Sequence, residues 1–267
     1  MGGHVGAPHV KRRALGQHFL RDAGVAGAIV DLLAPTANDL VVEIGPGEGA
    51  LTDVLARRAG RLIALEVDRT LLERLRRRLP GVEALEADAR TWDYGLLARP
   101  PGGRVLVVGN LPYSVSKPIV AALLEARRAL DAMALMLQRE VAERLAAPPG
   151  GKVYGALSVL TQAVCDVELA LRVPPGAFRP PPKVDSAVVR LVPRRDARVP
   201  AELEGRFREV VRAAFGRRRK MLANALAGGL GLSLGAARAA ATRSGVDPGR
   251  RAETLTIGEF VALTAQL

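Results

Sequence analysis

The chain alternates short apolar runs with amphipathic segments between about residues 25 and 195, and this alternation constrains the fold more than any other feature. The apolar runs predict buried strands, at Leu40–Ile44, Arg61–Glu66, Val82–Glu86, Arg104–Val108 and Ala132–Leu137. The segments between and after them predict helices, at Gly49–Ala59, Arg69–Leu79, Pro118–Arg128 and Gly155–Val164. Such alternation predicts an α/β fold with a parallel sheet and helices on both faces.

The later part of the chain departs from this pattern twice. Val167–Val173 and Ser186–Val192 predict strands joined through a Pro-rich loop without a helix, and so an antiparallel hairpin at one sheet edge. After Pro193 only helical patterns remain, at Glu202–Phe215, Arg218–Ala227, Leu234–Arg243 and Ile257–Leu267. We therefore expect an α/β domain over residues 1–198 and a small all-helical domain over residues 199–267.

A glycine-rich turn, Glu43-Ile-Gly45-Pro-Gly47-Glu-Gly49, follows the first predicted strand. Glycine suits a turn with unusual backbone angles that a ligand approaches closely, although a purely structural turn is the alternative. The turn lacks the glycine spacing of a dinucleotide fingerprint and a phosphate-binding Lys-Ser/Thr pair, which disfavours NAD and ATP. A cationic sulfonium tolerates an acidic neighbour such as Glu43, so the pattern favours S-adenosylmethionine.

Two further acids follow successive predicted strands. Glu66 ends the second strand, about 20 residues after the turn, where a carboxylate can accept both ribose hydroxyls. Asp88 follows the third strand, where an adenine amino group would be recognised. Because parallel strands end at one edge of a sheet, the two acids together favour a cofactor site over unrelated charges at strand ends.

Asn110-Leu111-Pro112-Tyr113 follows the fourth predicted strand. An exocyclic adenine amine is a poor nucleophile, and its N–H groups would donate to the Asn110 side-chain oxygen and the Leu111 carbonyl, which aims the nitrogen lone pair at a methyl group. Pro112 fixes the turn, and Tyr113 offers a ring face for the base. An ordinary Asn-x-Pro loop is the alternative.

The formal net charge of +12 and the pI near 11.0 favour a polyanionic partner, with an Arg-rich proteome as the alternative explanation. Arg217-Arg218-Arg219-Lys220 is predicted to begin a helix and to contact RNA phosphates. One cysteine, Cys165, and three scattered histidines exclude a thiolate zinc site and disfavour any metal centre. No signal peptide or membrane-spanning run is found, so we expect a cytoplasmic protein without a membrane partner.

With these residues in place, the chain resembles the KsgA/RsmA small-subunit rRNA adenine dimethyltransferases, whose relatives include the Dim1-type and Erm enzymes. The resemblance covers nearly the whole chain from about Leu15. Its motifs are Leu15-Gly-Gln-His-Phe-Leu-Arg-Asp22, Glu43–Thr52, Glu66, Asp88, Asn110–Tyr113, Gln138–Arg144, Tyr154-Gly155, Phe178–Ala187 and Arg217–Asn224.

The resemblance implies a Rossmann-like class I methyltransferase sheet with a helical C-terminal domain. It implies an enzyme that transfers two methyl groups from S-adenosylmethionine to N6 of each of two adjacent adenosines in the 3′-terminal hairpin of small-subunit (16S) rRNA. The expected partner is that rRNA within a pre-30S particle, and a monomer is expected. By this resemblance His18 and Leu20 lie against the cofactor with Gly45, Gly47, Glu66, Asp88 and Asn110. Phe178 would stack on the flipped adenine opposite Tyr113.

Three alternatives remain open at this point. An Erm-type enzyme would methylate 23S rRNA instead, and a non-catalytic assembly or transcription factor would bind without transfer. An NAD-dependent oxidoreductase is disfavoured by the glycine spacing and by the lack of a catalytic His or Tyr-Lys pair.

Overall fold

The computed structural model describes residues 18–196, 198–217 and 220–267. Its main feature is a seven-stranded mixed sheet. The sheet strands are β2 (Leu40–Ile44), β3 (Arg61–Glu66), β4 (Glu83–Glu86), β5 (Val105–Asn110), β6 (Ala132–Gln138), β7 (Cys165–Val173) and β9 (Ser186–Pro193). Their order across the sheet is β4-β3-β2-β5-β6-β9-β7. The first five strands in that order are parallel, and β9 and β7 complete the sheet in antiparallel pairing. A separate antiparallel pair joins β1 (Phe19–Leu20) to β8 (Phe178–Arg179).

In the described part of the chain, six α-helices accompany the sheet and four follow it. The first group is α1 (Ala23–Asp31), α2 (Ala50–Leu55), α3 (Arg69–Arg78), α4 (Ser116–Glu125), α5 (Arg139–Ala146) and α6 (Ala156–Gln162). The second group is α7 (Glu204–Gly216), α8 (Leu222–Leu230), α9 (Leu234–Arg243) and α10 (Ile257–Thr264). The predicted α/β fold with a helical C-terminal region is thus confirmed.

The core is aliphatic and lies on both faces of the sheet. All five residues of β2 are buried, and they alternate between two hydrophobic clusters: Val42 packs on one face of the sheet and Val41 on the other. This is the pattern of a central parallel strand covered on both faces. A third cluster joins the C-terminal helices to Val159 of α6 and to Tyr154, so the core of the helical part extends to residues before position 198.

Several details differ from the sequence-based expectations. The predicted hairpin exists, but β8 lies within its connection and only β7 is at the edge, because β9 pairs with β6. The helix predicted from Arg218 begins at Leu222. The helices α1 and α5 were not predicted. Cys165 is buried at the start of β7, and burial raises the pKa of its thiol to about 12.

No helix in the part of the chain that the structure describes is long and apolar enough to cross a bilayer.

Candidate functional site

The parallel strands β2, β3 and β5 end at one edge of the sheet, and a cleft of about 1050 Å³, open to solvent, lies there. Ligand sites in open α/β sheets form at this edge because the loops that follow the strands converge there. The cleft brings together most of the predicted site residues: His18, Leu20, Gly45, Gly47, Glu66, Asp88, Asn110, Leu111, Pro112 and Tyr113.

The glycine-rich turn after β2 forms one wall of the cleft. Gly45 and Gly47 have φ angles of +65° and +55°, which residues other than glycine rarely adopt. A Cβ atom on Gly47 would lie 2.8 Å from a ring carbon of Phe19. A side chain at position 47 would therefore clash with Phe19, so glycine suits this turn.

Glu66 joins this turn to the end of β3. Its Oε2 accepts a hydrogen bond from the Gly47 N–H at 3.3 Å, and its Oε1 accepts from Val67 N at 2.9 Å and Asp68 N at 3.0 Å. Burial raises the pKa of the carboxyl, while these backbone donors oppose the rise. The carboxylate is thus held rigidly against the cleft.

Glu43 also lines the cleft, although the sequence indicated it only as a tolerated neighbour. Its side chain is buried, and its Oε2 has no hydrogen-bond partner. Its pKa is raised to about 8, mainly by burial, and the negative charges of Asp53 and Glu66 add to the rise. A side-chain hydrogen bond with Thr52 and the positive charge of Arg78 oppose it. A buried carboxyl with one oxygen lacking a hydrogen-bond partner at a ligand cleft favours a cationic ligand. The sequence signal was an acid inside the apolar strand Leu40–Ile44.

Asp88 lies in the cleft, but its carboxylate is engaged. The Arg90 guanidinium donates to Asp88 Oδ2 at 2.5 Å, and the Arg90 backbone N–H donates to Oδ1 at 2.9 Å. The Arg90 hydrogen bond is the largest cause that lowers the pKa of Asp88, against an opposing effect of burial. Arg90 lines the same cleft and was missed by the sequence reasoning.

Asn110 is the last residue of β5, and a residue far away in the sequence orients its side-chain amide. Its Nδ2 donates to the backbone carbonyl of His18 at 3.0 Å. This bond uses one of the two N–H groups of the amide and fixes its orientation, so the side-chain oxygen is held in place as the acceptor. The geometry suits the predicted role of Asn110 as an acceptor.

Tyr113 is half-buried in the cleft. Its hydroxyl oxygen lies 2.7 Å from Ser186 Oγ, and its ring centroid lies 5.7 Å from that of His18, at an interplanar angle of 37°. Nδ1 of His18 contacts the Pro180 carbonyl at 2.8 Å. Burial is the largest cause that raises the pKa of Tyr113, so its hydroxyl is neutral at physiological pH.

Phe178 is not among the residues that line the cleft. Its side chain is 4% exposed and packs in the hydrophobic cluster that contains Leu20 and Val173. The antiparallel pairing of β8 with β1 places Phe178 opposite Leu20, which does line the cleft. The role of Phe178 in stacking on the adenine stays a prediction.

The two described residues of the basic run, Arg217 and Lys220, lie between α7 and α8 rather than in a helix. Arg217 and Lys220 are exposed there, and Arg218 and Arg219 lie outside the described residues, as do Leu15, Gly16 and Gln17 of the N-terminal motif. Within the described ranges, no group of three or more His, Cys, Asp or Glu side chains is placed to hold a metal ion.

Sequence comparison finds one family and many relatives. The model of the family described as ribosomal RNA adenine dimethylase matches residues 8–267. A protein of Nitrosococcus oceani is 46% identical over 259 residues, which are 96% of each chain, and one of Geobacter sulfurreducens is 46% identical over 264 residues, 96% of this chain and 95% of the other. Both are named ribosomal RNA small subunit methyltransferase A.

Solved structures show the same architecture. A dimethyladenosine transferase from Plasmodium falciparum superposes with a TM-score of 0.76 at 25% identity, covering 92% of this chain and 96% of the other. The 23S rRNA methyltransferase ErmE superposes with a TM-score of 0.70 at 28% identity, covering 93% and 99%. Both similarities include the sheet and the C-terminal helices.

Proposed function

The chain belongs to the ribosomal RNA adenine dimethylase family, and on this premise we propose that it transfers methyl groups from S-adenosylmethionine to N6 of two adjacent adenosines in the 3′-terminal hairpin of small-subunit rRNA. It is an rRNA adenine N6-dimethyltransferase. The observation that carries the proposal is the amide of Asn110, which a hydrogen bond from its nitrogen to the His18 carbonyl orients and whose oxygen can accept from the substrate amine.

The residues of the cleft fit S-adenosylmethionine. Among its described lining residues four are acidic, Glu43, Glu48, Glu66 and Asp88, and Arg90 is the one permanent cation. Glu48, Glu66 and Asp88 outnumber Arg90, so this lining disfavours a phosphate group and favours a ligand with an ammonium and a sulfonium group, whose positive charge would also favour the ionised form of Glu43. The unpartnered Oε2 of buried Glu43 provides a further site for positive charge. Glu66 would accept the ribose hydroxyls, and Asp88 would lie near the adenine.

When bound, the cofactor supplies an electrophilic methyl carbon on a sulfonium sulfur. The side-chain oxygen of Asn110 and the carbonyl of Leu111 accept the two N–H groups of the adenine amine, which directs the nitrogen lone pair toward that carbon. The amine nitrogen would receive the methyl group from the sulfonium and lose its proton to water. Because no general base is required, catalysis depends on positioning, and Tyr113 contributes the ring face against which the base is held.

RNA binding is assigned to the basic run. Arg217 and Lys220 are exposed at the turn before α8, and with Arg218 and Arg219 they would contact phosphates of the rRNA within a pre-30S particle. We place the catalytic domain at residues 1–198 and the RNA-binding domain at residues 199–267, in a monomeric cytoplasmic enzyme.

The experiment that tests the proposal is transfer of labelled methyl groups to small ribosomal subunits that lack the modification, with large subunits in parallel. Label recovered as N6,N6-dimethyladenosine from the small-subunit rRNA is the expected result. Label in the large subunit would instead place the substrate with that of ErmE, and no label in either would indicate a binding factor.

A further inference from the structure

The segment that leads into β9 contacts both chain segments of the proposed reaction site. The Pro180 carbonyl contacts Nδ1 of His18 at 2.8 Å, and because a carbonyl only accepts, this contact requires a proton on Nδ1. Six residues later, Ser186 Oγ lies 2.7 Å from the hydroxyl oxygen of Tyr113. The proposed chemistry assigns no role to Ser186.

Ser186 is the fixed partner of this pair. Its side chain is 0% exposed, and its backbone is paired on both sides within the sheet, with Gln138 of β6 and with Val173 of β7. Tyr113, in contrast, lies in the loop between β5 and α4, where its carbonyl accepts from Ser116 Oγ at 3.2 Å. A hydrogen bond between a sheet residue and a loop residue restrains the loop residue, because the sheet is the more rigid of the two.

The restraint acts on the ring that faces the substrate. A tyrosine anchored at its hydroxyl and in contact with the His18 ring keeps its ring at a fixed distance from the opposite wall of the cleft. The first methyl transfer starts from an amine with two N–H groups, and the second starts from one with a single N–H. The second transfer therefore depends less on hydrogen bonds from the amine and more on how the ring holds the base.

We propose that Ser186 is a positioning residue for the second methyl transfer, because its hydroxyl holds Tyr113 at the distance from which the ring supports both adenine and N6-methyladenine. This inference rests on the proposed function. Ser186 touches neither substrate nor cofactor and acts only through Tyr113.

The test compares Ser186→Ala, Tyr113→Phe and the double variant on small subunits that lack the modification. The ratio of N6-methyladenosine to N6,N6-dimethyladenosine is measured at equal, partial conversion. Each single variant is expected to raise this ratio about three- to tenfold, the effect of losing one hydrogen bond. The double variant is expected to match either single variant, because both remove the same contact.

Ser158→Ala is the matched control. Ser158 is also 0% exposed, and its Oγ bonds the Arg144 carbonyl at 2.5 Å and accepts from Gly155 N at 3.0 Å, in α6 and away from the cleft. It is expected to lower the unfolding temperature while leaving the product ratio unchanged. A second readout is the fluorescence of 2-aminopurine at the target position of bound RNA, measured with S-adenosylhomocysteine, which should change in Ser186→Ala and not in Ser158→Ala.

A wild-type product ratio in Ser186→Ala would overturn the inference, and so would an equal change in Ser158→Ala. No methylated adenosine with the wild-type protein would overturn the proposed function itself, so the two failures are distinguishable.

Discussion

The side-chain nitrogen of Asn110 lies 3.0 Å from the backbone carbonyl oxygen of His18, a residue 92 positions earlier in the chain. This contact determines which end of the amide is left for the substrate. A free amide can present either its oxygen or its nitrogen to the cleft, and only the oxygen can accept the N–H of an adenine amine.

Asn110→Ala is predicted to lower kcat/KM roughly 10- to 1000-fold, because it removes the acceptor that orients the amine. Asn110→Asp is predicted to be as inactive, since a carboxylate oxygen would then face the His18 carbonyl. Steady-state methylation of small subunits measures both, with Asn38→Ala as the control at an exposed loop amide. Near-normal turnover of Asn110→Ala with normal RNA binding would refute the role.

Glu43 is predicted to couple cofactor binding to proton release. With a pKa of about 8 the carboxyl is mostly protonated in the free protein at pH 7, and a cationic ligand favours the ionised form. Binding of S-adenosylmethionine should therefore release a proton near pH 7, as measured by calorimetry in buffers of different ionisation enthalpy. Glu43→Gln should bind S-adenosylmethionine more weakly and should release fewer protons on binding than the wild type. Equal proton release by the two proteins would contradict this assignment.

The Glu43 carboxyl is also predicted to make the stability of the free protein fall as the pH rises. Its pKa is raised above its ordinary value of 4.5, so its contribution to stability is fully present below that value and is lost as the pH rises through about 8. The free protein should lose stability between about pH 5 and pH 8. Thermal unfolding should show a smaller loss in Glu43→Gln, and a parallel loss in both proteins would assign it to other groups.

Phe178→Ala is predicted to reduce the free energy of unfolding by about 3–5 kcal/mol, as expected for truncation of a buried aromatic ring. Phe178→Leu should recover most of that stability together with most of kcat/KM, because the cluster around Leu20 requires an apolar side chain of similar volume. Chemical denaturation and steady-state kinetics of the two variants measure this. A stable Phe178→Leu protein with a large rise in KM for RNA would instead support the predicted stacking of Phe178 on the adenine.

The double variant Arg217→Gln, Lys220→Gln is predicted to weaken binding of small subunits and to reduce the slope of log K against log salt by about 2, since each phosphate contact contributes a slope of about one. The affinity for S-adenosylmethionine should not change. Arg172→Gln is the control, an exposed arginine on the edge strand β7. A salt slope equal to that of the wild type would remove Arg217 and Lys220 from the RNA-binding surface.

The sequence determined the fold and the location of the site. The strand Leu40–Ile44 and the helix Leu234–Arg243 have the bounds that their periodicity predicts, because the spacing of apolar residues is a local property. The sequence also predicted that Glu66, Asp88 and Asn110 lie near one another, because parallel strands end at a common edge of the sheet.

Only the tertiary structure decided how these side chains are held. The contacts of Asn110 with His18 and of Tyr113 with Ser186 join residues 92 and 73 positions apart, and the sequence has no periodic signal for such pairs. The burial of Phe178 depends on the pairing of β8 with β1, and the unpartnered Oε2 of Glu43 depends on what packs around it. Desolvation and hydrogen bonding act between atoms that folding brings together, so they are fixed by the packed structure and not by the order of the residues.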